Sequence, residues 1–168
     1  RHKKVSSYKA NRKGMPPELA QQLPLIKELL SDLGVKIVTS EGYEADDVLG
    51  TLSKMCKDNN DSCVILTGDR DNLQLINENV TVRLATNKEQ IIYTPEKFRE
   101  DYGIEPIQLI DLKALMGDSS DNIPGVPGIG EKTASSIIKE HHTIEELYEH
   151  FNDAEFSNSV RTKLENGK

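Results

Sequence analysis

The run VKIVTSEGYEADDVLGTLSKMCKDNNDSCVILTGD, residues 35 to 69, passes from an apolar stretch to a helical period and back to an apolar stretch. VKIVTS is predicted as a strand. EADDVLGTLSKMCKD is predicted as a helix, with Ala45, Val48, Leu52 and Met55 turned inward at helical spacing. CVILTGD is a short unbroken apolar run ending in a turn, the pattern of a buried parallel strand. Strands joined through a helix pair in parallel, so the expected fold class is α/β with a parallel-sheet core.

Working outward, PPELAQQLPLIKELLSDLG is predicted as an amphipathic helix upstream of this run. Leu19, Leu23, Ile26, Leu30 and Leu33 form its stripe, Pro16 and Pro17 suit its opening, and Gly34 suits its C-terminal cap. Pro24 inside the stripe predicts a kink. Downstream, VTVRLATNKEQIIYT reads as a hairpin turning at Asn87 to Glu89. PEKFREDYG, EPIQLIDLKALMGD and EKTASSIIKEH read as helices, and TIEELYEHF as another opened by a capping box from Thr143 to Glu146. No repeat or low-complexity linker interrupts them. The organisation is an α/β core followed by a helical tail.

The chain has 168 residues, 36% hydrophobic and 29% charged, with no Trp. That is ordinary for a globular protein with one sizeable core. No apolar run approaches a membrane span, so no membrane partner is expected. Cys56 and Cys63 are too few for a disulfide scaffold and are expected as buried thiols in a reducing cytoplasm. The net charge of −7 argues against nucleic acid only if the charges are evenly spread. They are not: residues 1 to 13 carry six Lys or Arg and no acid, while the acids gather in EGYEADD, TGDRD and GDSSD. A basic strip beside a focused acidic cluster suits a metal-dependent enzyme acting on a polyanion.

Glu44, Asp46 and Asp47 follow VKIVTS, Asp69 and Asp71 follow CVILTG, and Asp118 and Asp121 follow a predicted helix. Active sites of such sheets lie outside the carboxyl ends of the strands, so the three loops are expected to converge. Taken singly, each motif is explained by helix capping or by a turn. Taken together, seven carboxylates repel one another unless cations neutralise them, and an all-oxygen set points to Mg²⁺ or Mn²⁺. Such ions suit phosphodiester hydrolysis. His2, His141, His142 and His150 lie outside the motifs and are expected on the surface.

GVPGIGEKTA places Gly125, Gly128 and Gly130 around a turn before a helix carrying Lys132 and Thr133. Glycines allow close backbone approach, so amides at the helix entrance are suited to a phosphate oxygen. A tight interhelical turn explains the same glycines. Lying between two predicted helices, the turn reads as a helix-hairpin-helix element gripping DNA backbone without reading its sequence.

The stretches RH…YKANR, GYEADDVLGTL, ILTGDRDNLQL, LKALMGDSSDNIPGVPGIGEKTA and VRTKLENGK span essentially the whole chain. In these the sequence closely resembles the 5′→3′ exonuclease (5′-nuclease) domains of bacterial DNA polymerase I, within the flap-endonuclease family. The resemblance implies a PIN-like α/β core, a helical arch, and a C-terminal helix-hairpin-helix subdomain that binds duplex DNA, often with K⁺. It implies a basic arch-base segment at 1–15, a nuclease core at 16–117 and a DNA-binding region at 118–168. Glu44 and Asp46 resemble ligands of a first metal. Asp69, Asp71, Asp118 and Asp121 resemble those near a second, with Asp47 supporting. Lys9 and Arg12 look like the basic pair that contacts the scissile phosphate. Tyr8 resembles a residue that stacks on substrate, although ordinary packing explains it equally. Arg70 stands where many relatives have Lys. Family members also carry a first strand and two further Asp ahead of the stretch that starts here as RHKK, so the core is expected to be truncated at its N-terminus. The implied activity is metal-dependent cleavage of 5′ ends and 5′ flaps, in a cytoplasmic monomer with a polymerase domain elsewhere in its chain. The alternative is a fragment that only binds duplex DNA.

Overall fold

The computed structural model describes residues 4–167. Arg1, Lys3 and His2, with the expectations placed on them, lie outside the described residues. The elements run α1 (Pro17–Asp32), α2 (Ala45–Asn59), β1 (Cys63–Thr67), a 3₁₀ turn (Arg70–Leu75), β2 (Val80–Ala85) and β3 (Gln90–Tyr93). They continue with α3 (Pro95–Tyr102), a short 3₁₀ turn (Pro106–Gln108), α4 (Leu109–Met116), α5 (Glu131–His141), α6 (Ile144–Glu149) and α7 (Asn158–Asn166). No helix among the described residues is long and apolar enough to cross a membrane.

The fold is of the expected α/β class, and its sheet combines a parallel pair with the hairpin. The strand order is β1-β2-β3, with β1 parallel to β2 and β2 antiparallel to β3. Residues 35–40 form no strand. A strand needs a neighbouring backbone to satisfy its N–H and C=O groups, and no described strand lies beside this segment; instead the Val35 N–H closes back on the Leu30 carbonyl at 2.9 Å. The parallel crossover therefore runs from β1 to β2 through the 3₁₀ turn rather than through α2. The hairpin forms as read, closed by Thr86 N–H to Glu89 O at 2.9 Å.

Burial follows the alternation of the strands. Val80, Val82 and Leu84 point from β2 into the core, joined by Ile65 and Tyr93. The opposite sheet face is open, and Leu66 is 67% exposed. β1 is thus covered on one face only, although an unbroken apolar run predicts two. α1 forms with its stripe intact, but no residue of it is buried, and Pro24 lies within a helix assigned without a break. In α2 the inward face is rotated from the expected one. Ser53 is buried and Leu49 packs on the core, whereas Leu52 and Met55 are exposed. The 3₁₀ turn and sheet contact α2, and Leu49 and Ser53 are the residues of α2 that lie against the core. Cys56 and Cys63 are half-buried free thiols rather than buried ones, and burial pushes the Cys63 thiol up.

The helical tail is built by caps and aromatic packing. Thr94 and Thr143 accept from Lys97 and Glu146 N–H at 3.2 and 3.1 Å, and Phe98 stacks on Tyr102 with ring centroids 4.4 Å apart. α7, which periodicity did not reveal, is capped by Ser157 and seated through buried Leu164. Arg161 secures it by donating to the Phe151 and Ala154 carbonyls at 2.9 and 2.6 Å. His141 is not a surface residue: its ring packs on Phe156, with centroids 5.4 Å apart, and its side chain is 11% exposed.

Candidate active site

The site is organised by the loop after α4. Asp118 and Ile123 pair across it, with N–H···O distances of 2.9 and 2.8 Å in the two directions, so residues 119–122 form a tight turn. Gly117, at φ +76°, and Gly125 then pass face to face. A Cβ on Gly125 would lie well inside contact distance of the Gly117 nitrogen, so side chains are excluded on both.

The segment YKANR docks on this turn. Lys9, itself at φ +55°, donates its N–H to the Asp121 carbonyl at 2.8 Å. Asn11 Nδ2 donates to the Ser119 carbonyl at 2.9 Å, and Asn122 Nδ2 to the Ser7 carbonyl at 2.7 Å. The Arg12 guanidinium pairs with the Asp121 carboxylate. The buried Tyr8 hydroxyl lies 3.2 Å from Glu44 Oε2 and 3.4 Å from Asp121 Oδ2. Lys9 Nζ lies 2.5 Å from Glu44 Oε2 and 3.8 Å from Asp121 Oδ2. Burial opposes the charge on Lys9, but these acidic neighbours outweigh it and its pKa is pushed up to about 12.

The carboxylates divide into a convergent group and two local caps. Asp46, Asp71 and Asp121 line one cavity of about 490 Å³ beside Tyr8. Asp46 accepts from Asn72 Nδ2 at 3.3 Å, and Asn72, only 2% exposed, also reaches Thr67 Oγ1 at 3.2 Å. Asp118 and Asp71 are joined by Lys113, whose Nζ lies 2.6 Å from Asp118 Oδ2. Ser120 donates to Asp118 Oδ1 from its N–H at 2.8 Å and its hydroxyl at 2.6 Å. Burial pushes the Asp118 pKa up, but Lys113 and Ser120 outweigh it and hold it at about 2. Lys113 is in turn held above its ordinary value, because both carboxylates outweigh its own desolvation. Asp47 accepts from Glu44 N–H at 2.9 Å and faces a separate depression beside Tyr43. Asp69 accepts from Asp71 N–H at 2.9 Å and caps the 3₁₀ turn.

Five of the seven acids therefore meet: Glu44, Asp46, Asp71, Asp118 and Asp121. Among the described residues, no group of three or more His, Cys, Asp or Glu stands at metal-holding spacing. Ammonium and guanidinium groups stand between the carboxylates instead, as counter-charges to a set of hard oxygen donors. That donor set fits a hard divalent ion. Lys113, Asn72, Asn11 and Asn122 escaped the sequence reading. Only Lys113 had a visible signal, a cation one helical turn before GDSSD.

Beyond the turn, Gly128 sits at φ +81° beneath Lys163, whose Nζ donates to its carbonyl at 3.1 Å. Gly130 precedes α5 with no capping side chain, and open space surrounds the point where its Cβ would lie. Lys132 is exposed and Thr133 half-buried at the start of α5. Lys132 and Lys139 share a groove of about 730 Å³ with Arg70, which donates to Tyr102 Oη at 3.2 Å.

Two family profiles match, end to end. Residues 1–103 match the 5′-3′ exonuclease N-terminal resolvase-like domain and residues 104–168 the 5′-3′ exonuclease C-terminal SAM fold. DNA polymerase I of Caldicellulosiruptor bescii is 45% identical over 172 aligned positions, covering 100% of this chain and 20% of that protein. A Bacillus subtilis 5′-3′ exonuclease is 50% identical over 144 positions, covering 84% of this chain and 48% of that one. The chain thus spans at most about half the length of these relatives. A bacteriophage T5 5′-exonuclease structure with bound zinc superposes with TM-score 0.80 at 25% identity, covering 98% of this chain and 64% of that one. A complex of the T5 flap endonuclease with DNA and metal ions superposes at 0.78 with 23% identity, covering 98% and 64%.

Proposed function

The chain belongs to the 5′-3′ exonuclease family, and from that premise we propose that it hydrolyses phosphodiester bonds at DNA 5′ ends and 5′ flaps, in replication and repair. The observation that carries this reading is the convergence of Glu44, Asp46, Asp71, Asp118 and Asp121, from three loops, beneath the docked YKANR segment.

Mg²⁺ or Mn²⁺ is the proposed cofactor, with Glu44 and Asp46 holding a first ion and Asp71, Asp118 and Asp121 a second. Asp47 keeps its supporting role through its bond to Glu44 N–H, and Asp69, expected as a ligand near the second ion, is instead given a supporting role through its cap on the 3₁₀ turn. A bound ion of this kind lowers the pKa of water and stabilises the leaving oxygen. Lys9 and Arg12, already charged and held at the cavity by Glu44 and Asp121, orient the scissile phosphate. Tyr8, buried at 9% exposure and bonded to Glu44 and Asp121, fixes that pair, which supports the packing role for its ring over stacking on substrate. Gly125, Gly128, Gly130, Lys132 and Thr133 grip the duplex backbone, with K⁺ as a further ion at the hairpin. The partner is DNA. The molecule acts as a cytoplasmic monomer, with a polymerase domain in the same longer chain.

A second reading, duplex binding without cleavage, is favoured by one observation: no three-acid group stands at metal-holding spacing among the described residues. Incubation with end-labelled duplexes bearing a 5′ or a 3′ flap, in Mg²⁺ and in chelator, separates the two. The nuclease reading expects Mg²⁺-dependent release from the 5′ flap only. Equal cleavage of both flaps would overturn the polarity, and binding without cleavage would establish the second reading.

A further inference from the structure

Lys113 has no role in the proposed chemistry, yet it stands between two of the five convergent acids. It projects from the last turn of α4 and contacts both Asp71 and Asp118. These acids come from different parts of the chain, one in the region of the resolvase-like profile and one in the region of the SAM-fold profile. Asp118 already has its other oxygen engaged by Ser120 at 2.8 and 2.6 Å. On Asp118 the oxygen left to a cation is therefore the one the ammonium holds, and on Asp71 the ammonium holds Oδ1. Lys113 and Asp118 also border a cavity of about 400 Å³ with Arg70 and Glu131, which gives the flexible lysine stem room to move aside.

We infer that Lys113 is a built-in competitor of the divalent ion shared by Asp71 and Asp118. It holds the two carboxylates together when no ion is bound and swings into the neighbouring cavity when one enters. An ammonium and a divalent cation repel at this separation, so they do not share the two oxygens. The inference rests on the reading of these acids as an ion site. It assigns Lys113 a positioning role, setting the affinity and occupancy of that site rather than touching the reacting phosphate.

The test is calorimetric titration of Mn²⁺ into the metal-free protein, beside thermal melts in chelator and in Mn²⁺. Lys113→Met is expected to bind Mn²⁺ at least about fivefold more tightly than the wild type, since the Coulomb repulsion it removes is worth that much even in water-like screening. It is also expected to melt lower in chelator and to gain more from Mn²⁺. Lys113→Arg, which keeps the charge, is expected to stay within about twofold of the wild type. Unchanged or weaker Mn²⁺ binding by Lys113→Met overturns the inference. If that variant fails to fold in chelator, Lys113→Gln melted over a Mn²⁺ series gives the same comparison, and a smaller Mn²⁺-induced rise than the wild type's overturns it equally. Asp118→Asn separates the two levels. If it binds Mn²⁺ as the wild type does, the ion-site reading itself fails; if it loses an ion while Lys113→Met shows no tightening, only the competitor role fails.

Discussion

Lys9 combines a left-handed backbone, an N–H bond to the Asp121 carbonyl and an ammonium close to Glu44. Lys9→Ala is therefore expected to slow flap cleavage by a factor of about 100 or more, the scale of losing one charged group at a developing charge. Its effect on stability should be far smaller, and single-turnover kinetics beside denaturant melts would separate the two. The same residue sets a pH limit. Its folded pKa, about 12, lies above the ordinary 10.5, so its contribution is fully present below 10.5 and is lost as pH rises through 12. Asp118 has the opposite sign: with a folded pKa of about 2 against 3.8, its contribution is present above 3.8 and is lost as pH falls through 2. Melts of the metal-free protein across pH should show the acid-side loss, and Asp118→Asn should flatten it. The acids themselves were legible in the sequence because three motifs followed the ends of predicted elements. Most of their partners were not: Lys113 left only the trace of a cation one turn before GDSSD, and Asn72 reaches Asp46 only through folding, with no spacing to link them.

At the scale of elements, the loop that joins acids to glycines holds two separate jobs at a fixed distance. Its Asp118–Ile123 pairing presents Asp118 and Asp121, and its Gly117–Gly125 crossing closes the base. Gly117→Ala is expected to destabilise the fold by more than about 1–3 kcal/mol, since the positive φ is strained before the Cβ clash with Gly125 is added. Gly130→Ala, with open space around it, should be nearly neutral in stability. Equal midpoints for the two variants in chemical denaturation would refute the crossing. Helices were read well where caps and periodicity agreed, as in α3, α5 and α6. The burial of α2 and the strand at 35–40 were misread for one physical reason. Sequence periodicity reports which residues could face a core, while the partner surface decides which of them do. α7 was missed because its short stripe of Val160 and Leu164 follows a polar stretch that hides its Ser157 cap.

Across the whole molecule, charge and apolar surface are both unevenly distributed. A chain with net charge −7 presents Arg70, Lys132 and Lys139 along one groove, with Asp101 and Glu131 among them. If the proposed duplex grip uses this groove, its affinity is expected to fall with salt. Gly128→Val, at φ +81° under Lys163, is expected to weaken duplex binding; unchanged anisotropy titrations would remove the hairpin from the DNA surface. We propose residue 118 as the start of that gripping region because the Gly117 crossing is its fixed edge, although the family profiles meet at 103 and 104. The α/β class and the hairpin were legible because their signals are local, whereas the parallel pairing of β1 with β2 was not, since such partners are chosen across the molecule.

Acids from three loops are proposed to hold divalent ions in one cleft that cuts a 5′ flap. The most direct test of this measures binding and cleavage of one labelled 5′-flap duplex, in Mg²⁺, by the wild type and Asp118→Asn together. The account predicts cleavage by the wild type that falls by about 100-fold or more in Asp118→Asn, while both proteins bind the duplex with similar affinity. Equal cleavage by the two proteins would contradict it, because the acid would then have no part in the reaction.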